Sequence, residues 1–242
     1  MSVEVEDVEQ ISEFVDDRQK IWCIHCGASL AGAEVNRDHV PSKGFLIAPY
    51  PENLPVVRVC KACNESFSDD EEYMIAFIGA VLAGSVEPAQ GLHPTAGRIL
   101  ERNAKLKARI ERAGTKDLFG RIVWEPERNR IDRVVLKNAR GHAFFELGEP
   151  LMDAPDQIRS MPLALLSVEQ RADFENVSSG GLSAWPEVGS RMTTRLMSGQ
   201  DYAGGWVVVQ DDVYRYAAFQ SDGIVVRTVL FEYLATEVCW NI

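Results

Sequence analysis

The sequence predicts an α+β protein, in which a cysteine-bearing segment and helical runs precede a tail of strands. Three observations carry this. Two Cys-x-x-Cys pairs, Cys23/Cys26 and Cys60/Cys63, bracket a stretch rich in Gly, Pro and Asn. Two segments of helical character follow, at 61–83 and 98–114. From Gly205 onward, "GWVVVQ", "VYRYAAFQ" and "IVVRTVLFEYLATEVCW" are dense in β-branched and aromatic residues, the composition of a mostly antiparallel sheet.

The 242 residues suffice for one large domain or two small ones, at roughly 100–200 residues each. The expected organisation is an acidic segment at 1–20, a cysteine-bearing domain at 21–90, and a C-terminal α+β domain at 91–242 that starts with a basic helix at 98–113. A net charge of -11 argues against a protein that coats nucleic acid indiscriminately. The average hides a basic segment, however: residues 98–140 hold 13 of the 25 Lys and Arg against 6 acids.

Taken in order, Val5, Val8, Ile11, Phe14 and Val15 fall near helical spacing and suggest a short amphipathic helix. The N-terminus has seven acids in its first 17 residues and lacks the basic start and apolar core of a signal peptide. The apolar run "YMIAFIGAVLAG" at 73–84 is too short to span a bilayer and reads as a buried helix. The expected location is therefore the cytoplasm, without membrane attachment and with thiols reduced.

Residues 21–60 read as a hairpin region, with "VVRVC" at 56–60 as a strand. Helical pattern begins at Cys60, and "SDDE" at 68–71 has the form of a capping box. One helix over 61–83 and a fresh start at Ser68 are both open. "GSVEPAQGLHPTAG" at 84–97 reads as a loop and domain boundary. The helix that follows ends at Gly114, with Ile99, Leu106, Ile110 and Ala113 inside and Arg98, Arg102, Lys105, Arg109 and Arg112 along one outer face. "RIVWEP" and "RIDRVVL" are expected as strands and 150–200 as irregular. Trp206, Tyr214, Tyr216, Phe219, Phe231, Tyr233 and Trp240 are enough to build a second core.

In a reducing compartment, two Cys-x-x-Cys knuckles with 33 residues between Cys26 and Cys60 have the ligand arithmetic of a closed four-thiolate zinc site, which is structural because no coordination position stays open. A redox pair would need a thioredoxin-like βαβ setting, which is absent. Cys239, in an apolar run, is expected in the core.

Between and just after these cysteines lie Asp38-His39, Asn53 and Asn64. "RDHVPSKGF", "PENLPVV" and "CKACN" together resemble the HNH endonuclease family, over about residues 21–75. The resemblance implies a zinc-braced ββα-metal finger with Asp-His on its first strand, an Asn on its second, and a His or Asn at its helix start. It implies that His39 is the general base, an imidazole being suited to take a proton near neutral pH. Asn53 would orient the His39 loop. Asp38 and Asn64 would hold a catalytic Mg²⁺ or Mn²⁺ through oxygen. The implied activity is metal-dependent hydrolysis of phosphodiester bonds in nucleic acid, with DNA the expected partner. Lys43 and the row Arg98, Arg102, Lys105, Arg109 and Arg112 would meet phosphates.

Each residue also has a plainer reading. Asp-His-x-Pro is common in turns, Asn53 can cap a turn and Asn64 a helix. Ser42 and Lys43 can be turn residues, Arg37 and Arg58 can pair with nearby acids, and the basic helix face can simply be solvated. His25 is expected to face solvent or bond a backbone group, and His93 and His142 have no ligand-spaced neighbours. Asp69, Asp70, Glu71 and Glu72 stand where family members often carry bases. They favour the alternative, a catalytically inactive zinc-braced module acting as an adaptor, with a protein partner or a second copy. The intact set Asp38, His39, Asn53 and Asn64 favours the nuclease.

Overall fold

Gln10–Ser12 (β1) and Val35–His39 (β2) flank Leu54–Cys60 (β3), which pairs with β1 in parallel and with β2 antiparallel. The computed structural model describes residues 10–12, 20–52, 54–87, 93–120, 122–177, 191–199 and 202–241. The chain is mixed α+β and divides into two compact units, one made of 1–64 with 135–242 and the other of 65–134. The expected boundary at residue 90 falls outside the described residues.

In the first unit, β3 runs directly into Lys61–Ser66 (α1). Alternation along β3 is suppressed: Leu54, Pro55, Val56, Val57 and Val59 are all buried and only Arg58 is exposed, as befits a central strand covered on both faces. The core beside this sheet gathers Cys23, Ile24, Leu30, Val40, Val57 and Val59 with Phe144 and Phe145. The two phenylalanines come from Arg128–Leu147 (α5). Gly141 on the same helix lets it approach: a Cβ there would lie 2.7 Å from a Val40 methyl, inside van der Waals contact.

The remainder of this unit is a six-stranded antiparallel sheet. Gln157–Pro162 (β6), Tyr202–Ala203 (β7), Trp206–Gln210 (β8), Tyr214–Ser221 (β9), Gly223–Leu230 (β10) and Leu234–Trp240 (β11) lie in the order β6-β11-β10-β9-β8-β7. Trp206, Tyr214, Tyr216 and Trp240 are buried in it, as their composition predicts, while Phe219, Phe231 and Tyr233 are half-buried. Val168–Glu175 (α6) contributes Phe174, which meets Trp206 at 5.6 Å between ring centres. Arg191–Ser198 (α7) contributes Met192 and Arg195.

The second unit consists of Ser68–Ala83 (α2), Pro94–Arg102 (α3), Ala104–Arg112 (α4), a hairpin of Gly114–Lys116 (β4) and Ile122–Trp124 (β5), and the first turns of α5. α2 is the buried apolar helix expected at 73–84: Tyr73 to Ile78 and Ala80 are buried. Among the described residues no helix is long and apolar enough to cross a membrane.

Several expectations need correction. "RIDRVVL" is not a strand but lies within α5. The β-branched Ile131, Val134 and Val135 bias the reading toward a strand, although Arg128, Asn129 and Arg133 are exposed; from Lys137 to Leu147 every residue of the helix is buried. The helix at 98–114 is two helices, α3 and α4, broken at Asn103, whose backbone leaves the helical region and whose side chain accepts from the Leu106 N–H at 3.0 Å to cap α4. Ser68 caps nothing: it is the first residue of α2, and α1 and α2 are separate helices. Residues 10–12 are a strand, not a helix, and the rest of the N-terminal pattern lies outside the described residues except Lys20. Within 150–200, β6, α6 and α7 are regular.

Candidate functional site

The two cysteine knuckles arise from different local structures. Cys23 and Cys26 sit in a tight turn, closed by Gly27 N–H to Cys23 O and Cys23 N–H to Ala28 O, both at 2.8 Å. Cys60 ends β3 and Cys63 is in the first turn of α1, where its N–H donates to Cys60 Sγ at 3.4 Å. The Lys61 N–H, bonded to Glu34 O at 2.9 Å, ties this junction to the start of β2.

The four Sγ atoms lie within 4.8 Å of one another. Cys26 and Cys60 are 3.8 Å apart, far beyond a disulfide. With Zn–S near 2.3 Å, the edge of a tetrahedron is roughly 3.8 Å, so the four cysteines can hold a zinc ion. Burial raises the thiols of Cys23 and Cys63, whereas at Cys60 the hydrogen bonds from Cys63, Cys23 and Cys26 together outweigh burial and lower it. This is the one such ligand cluster among the described residues.

Strand alternation separates the two residues of the Asp-His pair. Arg37 and His39 share one face of β2 and Asp38 takes the other. On the first face, Arg37 stands opposite Arg58 across the strands, both exposed, and His39 stands opposite Val56. Opposed like charges repel unless an anion lies between them. The half-buried His39 imidazole has its pKa pushed down, first by burial and next by Lys43, with lesser contributions from Arg37 and Lys137, and together these exceed the upward pull of Asp38. It is therefore neutral at pH 7 and sits in a positive surround. Lys43 lies in a 3₁₀ turn, with its ammonium 5.6 Å from the Tyr50 ring centre.

On the other face Asp38 is buried, 7 % exposed. Its Oδ1 accepts from Lys137 Nζ at 2.9 Å, and the same ammonium donates to Ser42 Oγ at 2.9 Å. Oδ2 faces His25 Nε2 at 3.8 Å. Burial alone would raise the carboxyl, but His25 and the Lys137 charge prevail and hold it below the usual range. α5 supplies the rest of the seat: Asn138 Oδ1 accepts from the Ser42 N–H at 3.4 Å, and Arg140 donates to the carbonyls of His25, Met152 and Asp153 at 2.9–3.0 Å. The expectation for His25 is thereby corrected, since its side chain is buried against Asp38, and burial lowers its pKa.

Asn53 lies outside the described residues, and Asn64 is half-buried in α1, directly after Cys63. In the other unit the basic row is largely engaged. Arg102 pairs with Glu72 at 3.1 Å and Arg109 with Glu127 at 2.5 Å, Arg98 bonds Thr95 Oγ1, and Arg112 bonds Ala108 O. Lys105 is exposed beside a groove of about 270 Å³ that Asp69, Glu72, Asn103 and Arg130 also line. His93 caps α3 by accepting from the Ala96 N–H at 3.1 Å.

Sequence reasoning missed Lys137 and a second buried polar group. Glu146, wholly buried, is bonded by Arg195 Nε at 3.0–3.1 Å and by the Tyr216 hydroxyl at 2.5 Å. His142, one turn earlier on α5, is bonded to Tyr214 OH at 2.9 Å and stacks on Tyr216. The available signal was five charged or polar residues, Lys137, Asn138, Arg140, His142 and Glu146, in a run otherwise made of apolar and small residues.

The sequence matches no protein-family model, and no curated protein or solved structure is significantly similar to it.

Proposed function

We propose that the chain is a zinc-braced phosphodiester hydrolase of the HNH type, acting on nucleic acid, with DNA the first substrate to test. The observation that carries this reading is the charge around His39: a half-buried neutral imidazole on a strand face shared with Arg37, which itself faces Arg58 across the strands, with Lys43 close enough to depress its pKa. A neutral imidazole can take a proton from water, and the neighbouring cations would attract and hold the phosphate that this water attacks. The order β2, β3, α1, with the cysteines at its base, also supports the reading. Cys23, Cys26, Cys60 and Cys63 would hold zinc, whose part is to fix the hairpin against the helix.

A plasmid-nicking assay compares wild type with His39→Ala, zinc content being measured on both. The expected result is nicking by wild type and none by a variant that keeps its zinc. Equal nicking by both would overturn the assignment of His39.

One observation favours the second reading, an inactive zinc-braced module: Asp38 is already neutralised by Lys137. Zinc-replete wild type that nicks neither duplex nor single-stranded substrate would favour that module.

A further inference from the structure

We infer that Lys137 is the standing counter-cation of Asp38 and closes this carboxylate to a divalent ion. The inference deepens the hydrolase reading, on which its catalytic meaning rests, because it removes Asp38 from the reacting side of β2. Mg²⁺ and Mn²⁺ take carboxylate oxygens that are free to approach closely, and they keep several waters. Asp38 offers neither condition. Oδ1 accepts from the Lys137 ammonium at 2.9 Å, Oδ2 faces the His25 ring, and the residue is 7 % exposed.

The ammonium is not a mobile surface charge. Lys137 is 3 % exposed and is held at a second oxygen, Ser42 Oγ. Its helix is seated on the same segment by Asn138 and Arg140 and by the close approach of Gly141 to Val40. A divalent ion on Asp38 would stand beside this ammonium in a medium that screens poorly, and the two cations would repel. Nor can Lys137 serve a phosphate in the ion's place, because it is buried. The cations placed to meet a phosphate beside His39 are Lys43 and the exposed Arg37, with Arg58 across the strands from Arg37, while Lys137 adds a smaller field from its buried position. The Asp38 position therefore does not fit the catalytic ion that the resemblance implies.

The test is Mn²⁺ binding to the zinc-loaded full chain, followed by electron paramagnetic resonance of free Mn²⁺, for wild type, Lys137→Met, Asp38→Asn and the double variant. Wild type and Asp38→Asn are expected to bind Mn²⁺ alike. Lys137→Met is expected to gain one site, roughly tenfold or more tighter than wild type, and the double variant to lose it. Wild-type binding that Asp38→Asn abolishes would overturn the inference, and so would a folded Lys137→Met that gains no site. If Lys137→Met does not fold, wild type decides alone. Mn²⁺ on Asp38 would broaden the His25 ring signals in NMR, and the inference expects them to stay sharp. Nicking is scored in parallel: its absence alongside the expected binding pattern would sink only the hydrolase reading.

Discussion

The Lys137 ammonium donates to Asp38 Oδ1 at 2.9 Å, joining residues 99 positions apart in the chain. Both are almost fully buried, so removing one partner leaves the other as an uncompensated charge. Lys137→Met is expected to lower stability by roughly 3–5 kcal/mol, and the double variant with Asp38→Asn to recover most of it, because a buried pair is much cheaper to replace than to break. Urea unfolding of the four forms measures this coupling. Additive losses would mean that the pair does not act as one.

Thiolate ligation makes the cysteine cluster part of the folding equilibrium. Cys60→Ser is expected to lower bound zinc from one per chain to a small fraction. It is also expected to cost several kcal/mol, or a melting-point loss of roughly 2–4 °C per kcal/mol for a chain of this size. Atomic absorption with a thermal scan checks both. An unchanged zinc content would contradict the ligand assignment.

His39 should titrate below the ordinary imidazole value. Burial and the charges of Lys43, Arg37 and Lys137 disfavour its protonated form more than Asp38 favours it. Lys43→Gln removes one of these cations, so the His39 midpoint in an NMR titration should move up. Activity that depends on neutral His39 should rise with pH through the wild-type midpoint and level off by neutrality.

His142 makes the fold acid-sensitive. Burial first, and the Arg195 charge second, lower its pKa to about 3, whereas in the unfolded chain it lies near 6.5. Above the unfolded value both states are neutral and the native contacts contribute in full. As pH falls below it, the unfolded chain takes up a proton that the folded chain refuses, and stability drops by up to about 1.4 kcal/mol per pH unit until the folded value is reached. His142→Gln should flatten the slope of unfolding free energy between pH 6 and pH 4. An unaltered slope would place the acid sensitivity elsewhere.

Local signals were legible where one short segment sets the outcome. The Cys-x-x-Cys spacing marked four residues that the fold brings together, because each knuckle is a single turn or a single strand-to-helix junction. The tail marked an antiparallel sheet, because β-branched and aromatic content is written residue by residue. The buried α2 was likewise readable as an apolar run. α5 was not: Ile131, Val134 and Val135 give its first half a strand-like composition, and burial on every side from Lys137 onward erases the stripe that identifies a helix.

Sequence by itself determined the mixed helix-and-sheet class of the fold and the four cysteines that come close enough to hold a metal ion. Only tertiary structure decided what becomes of Asp38. Adjacent in sequence, Asp38 and His39 look like one catalytic pair, but the pleat of β2 turns them to opposite faces. The residue that then meets Asp38 comes from a helix nearly a hundred positions later. A buried carboxylate needs a counter-charge, and no local pattern says which distant lysine will provide it.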